Sequence, residues 1–390
     1  MSRLFIGRSL DTEDDVYVDA SKSRVVLICG KRGSGKSYTM GVIVEELHRA
    51  ADVIILVVDP MGIFHTMSLP NTEQEKAVWD WGDSPRDLPT KVLVPGDPVE
   101  RYGGFDIVQE MERRGVDFRS LAINPADVSP EGWCDSFGTT INEPMGIALT
   151  KAIHRCRRKH GEVYFIAEII GEVEADPRAN ERTVDALVNR LEMAEQWGMF
   201  ATDRYHELSE VLDPRSINIL DLSIIDSGRY GRRGLILSVL CRDLFRKRSV
   251  ARRREELGLA PEKQKLWLLI DEAHQFVPTG KSALGKEELI RWVKEGRQPG
   301  LSLVVVSQQP SAIDGEVLSQ CDVILSHALT TRDDKTALNR LTKDYMKNEI
   351  KTYINQIART GQAVFVDDDA ENIDMVQIRP RVSKPGGSES

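Results

Sequence analysis

Apolar residues along the chain fall into short continuous runs, separated by longer stretches in which they recur every three or four positions. RVVLIC (24–29), DVIILVVD (52–59), KLWLLID (265–271), LSLVVVSQ (301–308) and DVILSHAL (322–329) have strand length and little polar alternation, which predicts strands buried on both faces. INILDLSII (217–225) reads the same way. Between them, KSYTMGVIVEELHRA (36–50) and the stretch from about 232 to 257 carry the spacing of helices. Strand alternating with helix predicts an α/β fold, a mostly parallel sheet covered by helices. GQAVFVD and NIDMVQIRP read as a closing strand pair.

From 101 to 212 the pattern turns helix-like, with EGWCDSFGTTINEPMGIALTKAIHRCRRKH and ERTVDALVNRLEMAEQWGMF punctuated by Pro, Gly and Asn. The expected organisation is a short N-terminal lead, 1–23, long enough for a hairpin, and a core built from 24–100 and 213–380. A helical insertion occupies 101–212 and a flexible tail 381–390, the latter because SKPGGSES has the composition of disorder.

Composition narrows the function classes. Among 390 residues, 41% are hydrophobic and 29% charged, the ordinary range of a folded, water-facing protein. No run approaches the roughly 18 apolar residues of a membrane helix, and MSRLFIGRSLDTEDD lacks the apolar core of a signal peptide, so a cytoplasmic protein with no membrane partner is expected. Cys29, Cys134, Cys156, Cys241 and Cys321 lie far apart without CxxC pairing, which points to reduced core thiols rather than zinc or disulfides. A net charge of −9 excludes a broadly basic, nucleic-acid-coating surface, so any DNA contact must be local.

The chemistry begins at GKRGSGKS, which fits G-x-x-x-x-G-K-[ST] between a strand and a helix. Gly30, Gly33 and Gly35 let the backbone wrap and aim amide N–H groups at phosphate oxygens, so the loop Gly30, Lys31, Arg32, Gly33, Ser34, Gly35 is expected to cradle a nucleoside triphosphate. Lys36 supplies a cation to the β- and γ-phosphates and Ser37 a hydroxyl to Mg²⁺, while the helix that runs on through Tyr38 adds its positive end. In LWLLIDEAH an apolar strand carries Asp271 to the sheet edge, where it can hold Mg²⁺ through water, and Glu272 beside it can polarise the attacking water. The expected cofactors are ATP and Mg²⁺.

DEAH at 271–274 suggests a helicase with two RecA-like domains, but the residues after Asp271 are taken up in completing the first sheet. His274 is then a local capping or gating residue. The segments IGRSL, LICGKRGSGKSYTMGVIVEEL, VVDPMGIF, INILDLSII, LLIDEAHQFVP, RWVKEGRQPGLSLVVVSQQPSAIDGEVLSQCDVIL and TGQAVFV together resemble the HerA/FtsK group of ring ATPases, and HerA more closely. That resemblance implies a P-loop NTPase of RecA/ASCE type, a homo-hexamer with ATP between neighbours and double-stranded DNA through its pore. It also implies a DNA translocase working with a nuclease or other effector protein in DNA processing or phage defence. By the same resemblance Arg297 matches the arginine finger that reaches a neighbour's γ-phosphate, Gln308 the polar sensor at the end of the next strand, and Arg24 a second nucleotide-interface arginine. In HerA proteins a β-barrel that docks the nuclease stands at the N-terminus; here it is expected to be absent or vestigial, 1–23 forming its vestige or a hairpin, with 101–212 docking the partner instead.

The loop VPTGKSALGKEE (277–288) takes a position that faces the pore in ring ATPases, which makes Lys281 and Lys286 candidates for DNA phosphate contact. Seven basic residues in RDLFRKRSVARRRE (242–255) offer a DNA-binding reading, but a charge run is more often a solvated face or a subunit contact. Asp59 is followed by PMGIF where the family has an acidic residue after the glycine, so its place near the site is open. Two other readings share this core: a conjugation- or packaging-type DNA pump, and a ring scaffold that uses hydrolysis to switch a partner effector.

Overall fold

A computed structural model describes residues 3–50, 53–202, 208–226, 228, 231–261, 264–341 and 347–387. The first strands are β1 (Arg3–Ser9), β2 (Asp15–Asp19), β3 (Val25–Cys29), β4 (Val53–Asp59), β5 (Thr90–Pro95) and β6 (Val116–Leu121). They are followed by β7 (Ile217–Asp221), β8 (Lys265–Ile270), β9 (Leu301–Ser307), β10 (Val323–Ser326), β11 (Gln362–Asp367) and β12 (Asn372–Ile378). They form one 12-stranded sheet in the order β2-β1-β12-β11-β10-β3-β9-β8-β4-β7-β5-β6. Pairing is parallel from β10 to β6 and antiparallel from β2 to β10. The α/β, mostly parallel architecture read from the apolar runs is the one observed.

Alternation along each central strand sends side chains to two separate cores. Leu27, Leu56, Leu268, Ile270, Leu303 and Val305 face one core, which is closed by the long helix Arg232–Glu256 and by the helices between 130 and 195. Val26, Ile28, Ile55, Val57, Trp267, Leu269, Val304 and Val306 face the other, closed by the helix Lys36–Ala50. Burial on both faces explains why these strands read as continuous apolar runs.

Two boundaries differ from expectation, and the N-terminal lead joins the main sheet. The region 101–212 is not purely helical: it contributes β6, whose Val116, Phe118 and Leu121 are buried while Asp117 and Arg119 are exposed, and which pairs with β5 at the sheet edge. The lead 1–23 contributes the hairpin β1–β2, and β1 pairs with β12 to extend the main sheet. The described part of the expected flexible tail is anchored: Arg381, Val382 and Ser383 are buried. Arg381 Nε lies 3.4 Å from Glu45 Oε1, Ser383 donates its backbone N–H and hydroxyl to the same oxygen, and Val382 N–H donates to Glu45 Oε2 at 3.2 Å. A composition rich in Gly, Ser and Pro says nothing about this fixed set of donors around one buried carboxylate.

Candidate active site

Strand register assembles the site. Cys29 lies opposite Ser307 and Ser326, and Ile270 opposite Val58 and Val305, so the residues that follow each strand emerge at one edge of the sheet. Those residues are the glycine loop after β3, Asp271 and Glu272 after β8, and Gln308 after β9.

The loop needs its glycines at specific points. Gly30 has φ 153°, and a β-carbon there would lie 2.6 Å from both Ser34 Oγ and His327 Cβ; Gly35 has φ 104°, in the region L-residues avoid. Ser34 Oγ donates to Lys31 O at 2.7 Å, and Lys31 N–H donates to Ala328 O at 2.8 Å, fixing the loop to the chain after β10. Lys36 Nζ donates to Lys31 O at 3.0 Å. Burial lowers the Lys36 pKa, and the nearby carboxylates of Glu272 and Asp271 oppose that shift.

Ser37 Oγ donates to Asp271 Oδ2 at 2.9 Å, joining the loop to the acidic strand end. Desolvation raises the Asp271 carboxyl above its usual range, and the Ser37 hydrogen bond acts against this. A hydroxyl and a carboxylate so close supply hard oxygen donors that fit Mg²⁺. Glu272 has φ 47° and ψ 44°, a left-handed backbone uncommon for a non-glycine residue. Its Oε1 accepts from Gln308 Nε2, and its Oε2 is buried with no hydrogen-bond partner among the described residues.

Beside the loop opens a cleft of about 810 Å³, lined by Gly35, Tyr38, Ala77, Trp81, Thr360 and Gln377 among others. Tyr38 is fixed there: its hydroxyl donates to Gln74 Oε1 at 2.7 Å and accepts from Arg381 N–H at 2.7 Å. The space suits a nucleobase and ribose, with phosphates on the adjoining loop.

The other expected residues lie elsewhere. Arg297 precedes β9 while Gln308 follows it, so the seven-residue strand separates them by about 20 Å. The Arg297 side chain is 74% exposed, with Nη2 at 3.6 Å from Asp322 Oδ2. Arg24, at the same end, has a different job from the one expected. Its side chain is 2% exposed and sits among Asp19, Asp322, Asp367 and Asp369, so its guanidinium is spent on its own chain's carboxylates rather than offered to a nucleotide. Lys286 also departs from expectation: its ammonium binds Pro278 O at 2.8 Å, Lys281 O at 3.0 Å and Asp314 at 2.7 Å, closing the loop onto itself instead of reaching outward. Lys281 is exposed on that loop. Within the basic run, Arg248 is buried against Glu255 and Arg242 donates to Asp127 O.

Sequence reasoning missed one support and left the place of a second open. His327 is fully buried behind the loop, with Nδ1 2.9 Å from Gln362 O and Nε2 2.9 Å from Thr39 Oγ1. A carbonyl can only accept, so Nδ1 carries the proton and Nε2 accepts from Thr39. Its one sequence signal was a histidine closing an apolar strand. The second is Asp59, placed by its pairing opposite Asp221: it accepts from the N–H groups of Met61, Gly62 and Phe64, while Tyr102 donates to Asp221. Burial raises the Asp59 carboxyl to about 7. These contacts make Asp59 a brace for the turn after β4.

Comparison with known proteins agrees with this arrangement. A family model described as "Helicase HerA, central domain" matches residues 4–244, and one described as "Helicase HerA-like C-terminal" matches 253–384. The DNA double-strand break repair helicase HerA of Pyrococcus furiosus is 23% identical over 374 residues, covering 88% of this chain and 64% of its own length. The protein of the same name from Sulfurisphaera tokodaii is 27% identical over 306 residues, covering 72% of this chain and 58% of its own. The chain thus spans less than two thirds of those relatives. In fold it is similar to VirB4 of Thermoanaerobacter pseudethanolicus (TM-score 0.60, 16% identity, 97% of this chain and 96% of that one). It is also similar to the bacterial conjugative coupling protein TrwB (TM-score 0.54, 13% identity, 98% and 91%). With a glycine loop, acidic strand end and parallel sheet in P-loop NTPase order, and both family models matched in sequence, the chain belongs to the HerA helicase family.

Proposed function

We propose that the protein is an ATP- and Mg²⁺-dependent motor that assembles as a homo-hexameric ring and translocates on double-stranded DNA. A nuclease or other effector protein would act with it in DNA processing or phage defence. The observation that carries this reading is the placement of Arg297: it is exposed at one end of β9, while Glu272, Gln308 and the phosphate loop lie at the other. No rearrangement of side chains alone brings that guanidinium to its own site, which supports a role at the site of a second copy.

In this reading the loop amides and Lys36 hold the β- and γ-phosphates, and Ser37 and Asp271 hold Mg²⁺, which when bound offsets phosphate charge. Glu272 takes the proton of the attacking water, with Gln308 fixing one of its oxygens. Arg297 of the neighbouring copy meets the charge that spreads over the γ-phosphoryl oxygens, a contribution worth about 10³-fold or more in related NTPases. The exposed loop carrying Lys281 grips DNA phosphates without reading bases.

The reading is tested by measuring ATP turnover with and without duplex DNA, alongside the particle mass with and without nucleotide. Stimulation by duplex together with a six-fold mass supports it. Turnover indifferent to DNA but raised by a partner protein would replace the motor with a switch.

A further inference from the structure

We propose that His274 is a positioning residue for the Glu272 carboxylate; this rests on the reading of Glu272 as the water-activating acid. The two oxygens of Glu272 have unequal surroundings. Oε1 accepts from Gln308, whereas Oε2 is buried and has no hydrogen bond among the described residues. His274 Nδ1 lies 3.3 Å from it.

The hydrogen-bond pattern decides which way that nitrogen faces. Ser307 Oγ lies 3.4 Å from the same Nδ1, donates its own proton to Gln309 O at 3.2 Å and accepts Gln309 N–H at 3.1 Å. With the serine proton spent on a carbonyl, Ser307 faces His274 as an acceptor, and so does the Glu272 carboxylate. Nδ1 therefore carries the hydrogen, poised between the two.

The backbone at Glu272 is left-handed and the following turn, Ala273–Gln275, is a single short helical turn, so neither dictates where the carboxylate points. Two side-chain donors do: Gln308 from the end of β9, and His274 from the turn itself. Each carboxylate oxygen has two acceptor sites, so a hydrogen bond from His274 to one side of Oε2 leaves the other free to receive a proton from water. Ser307, the last residue of β9, adjoins Gln308, so the same strand end sets both donors.

The test compares His274→Leu, which keeps bulk without a donor, with His274→Asn, whose amide N–H falls close to the position of Nδ1–H. Steady-state ATP hydrolysis, affinity for a fluorescent ATP analogue and thermal melting are measured for each. The expected result is a kcat lowered about ten- to a hundredfold in the Leu variant, with analogue affinity within about twofold of the parent, and most of the turnover recovered in the Asn variant. Equal kcat in the two variants, whether both high or both low, overturns the proposal, as does a loss of analogue affinity that tracks the loss of kcat. Glu272→Gln is the control for the parent reading: if it hydrolyses ATP at the unmodified rate, the role of Glu272 itself falls.

Discussion

Ser37 donates its hydroxyl to Asp271 across 2.9 Å, joining two residues 234 positions apart in the chain. The contact exists because β3 and β8 flank β9 in register, so the loop after one and the acid after the other emerge side by side. Asp271→Asn keeps the size of the side chain but removes the charge that would hold Mg²⁺. We expect ATP turnover to fall by about a hundredfold or more, and not to recover as Mg²⁺ is raised. A magnesium titration of the two proteins checks this.

The C-terminal segment should be indispensable to stability. Arg379 and Arg381 both pair with Glu45, on the helix that opens with Lys36, and all three side chains are almost fully buried. Removing one partner of a buried ion cluster strands the rest, so Glu45→Ala should cost about 3–5 kcal/mol. Gly41 on the same helix has no room for a side chain, since a β-carbon there would lie 2.6 Å from the Arg381 guanidinium. Urea unfolding of Glu45→Ala and Gly41→Val should show both shifted to lower midpoints.

The acidic strand end and the phosphate loop were legible because their spacing is dictated by chemistry at adjacent strand ends. The central strands were legible because burial on both faces leaves an unbroken apolar run. The edge was not: VDFRSL mixes buried Val116 and Phe118 with exposed Asp117 and Arg119, so it shows no continuous apolar run. The fate of charged side chains was equally hidden. Arg24 and Lys286 read as free cations, yet Asp322, Asp367 and Asp369, distant in sequence, occupy the first, and Asp314 joins carbonyls of its own loop around the second. Long-range pairing leaves no local pattern.

Acid should act against the fold through the buried His327. Burial pushes the His327 pKa down from 6.5 to about 4, because its surroundings exclude the charged ring. Between those two values the unfolded chain binds a proton that the folded chain does not, so stability is fully present above 6.5 and falls as pH drops toward 4. Asp59, whose carboxyl burial raises to about 7, acts with the opposite sign over the same window, so the His327 share is read as a difference: from pH 6.5 to 4 the parent should lose more melting temperature, or gain less, than His327→Gln, which cannot titrate.

Filling the cleft beside Tyr38 should obstruct nucleotide binding and leave the chemical groups alone. Ala77→Trp adds an indole to the space of about 810 Å³ that Ala77 lines. The expected effect is a raised KM for ATP with little change in kcat, read from saturation curves, because the residues around Glu272 are not on that wall.

Two copies meeting across one nucleotide is the claim on which the rest depends, and mixing inactive subunits tests it most directly. Arg297→Ala and Glu272→Gln proteins, each impaired alone, are combined over a range of ratios and assayed for ATP turnover. The account predicts activity that appears on mixing and peaks near equal proportions, since interfaces then form with an intact Arg297 facing an intact Glu272. No recovery at any ratio, or an Arg297→Ala protein that turns over at the unmodified rate by itself, would contradict it.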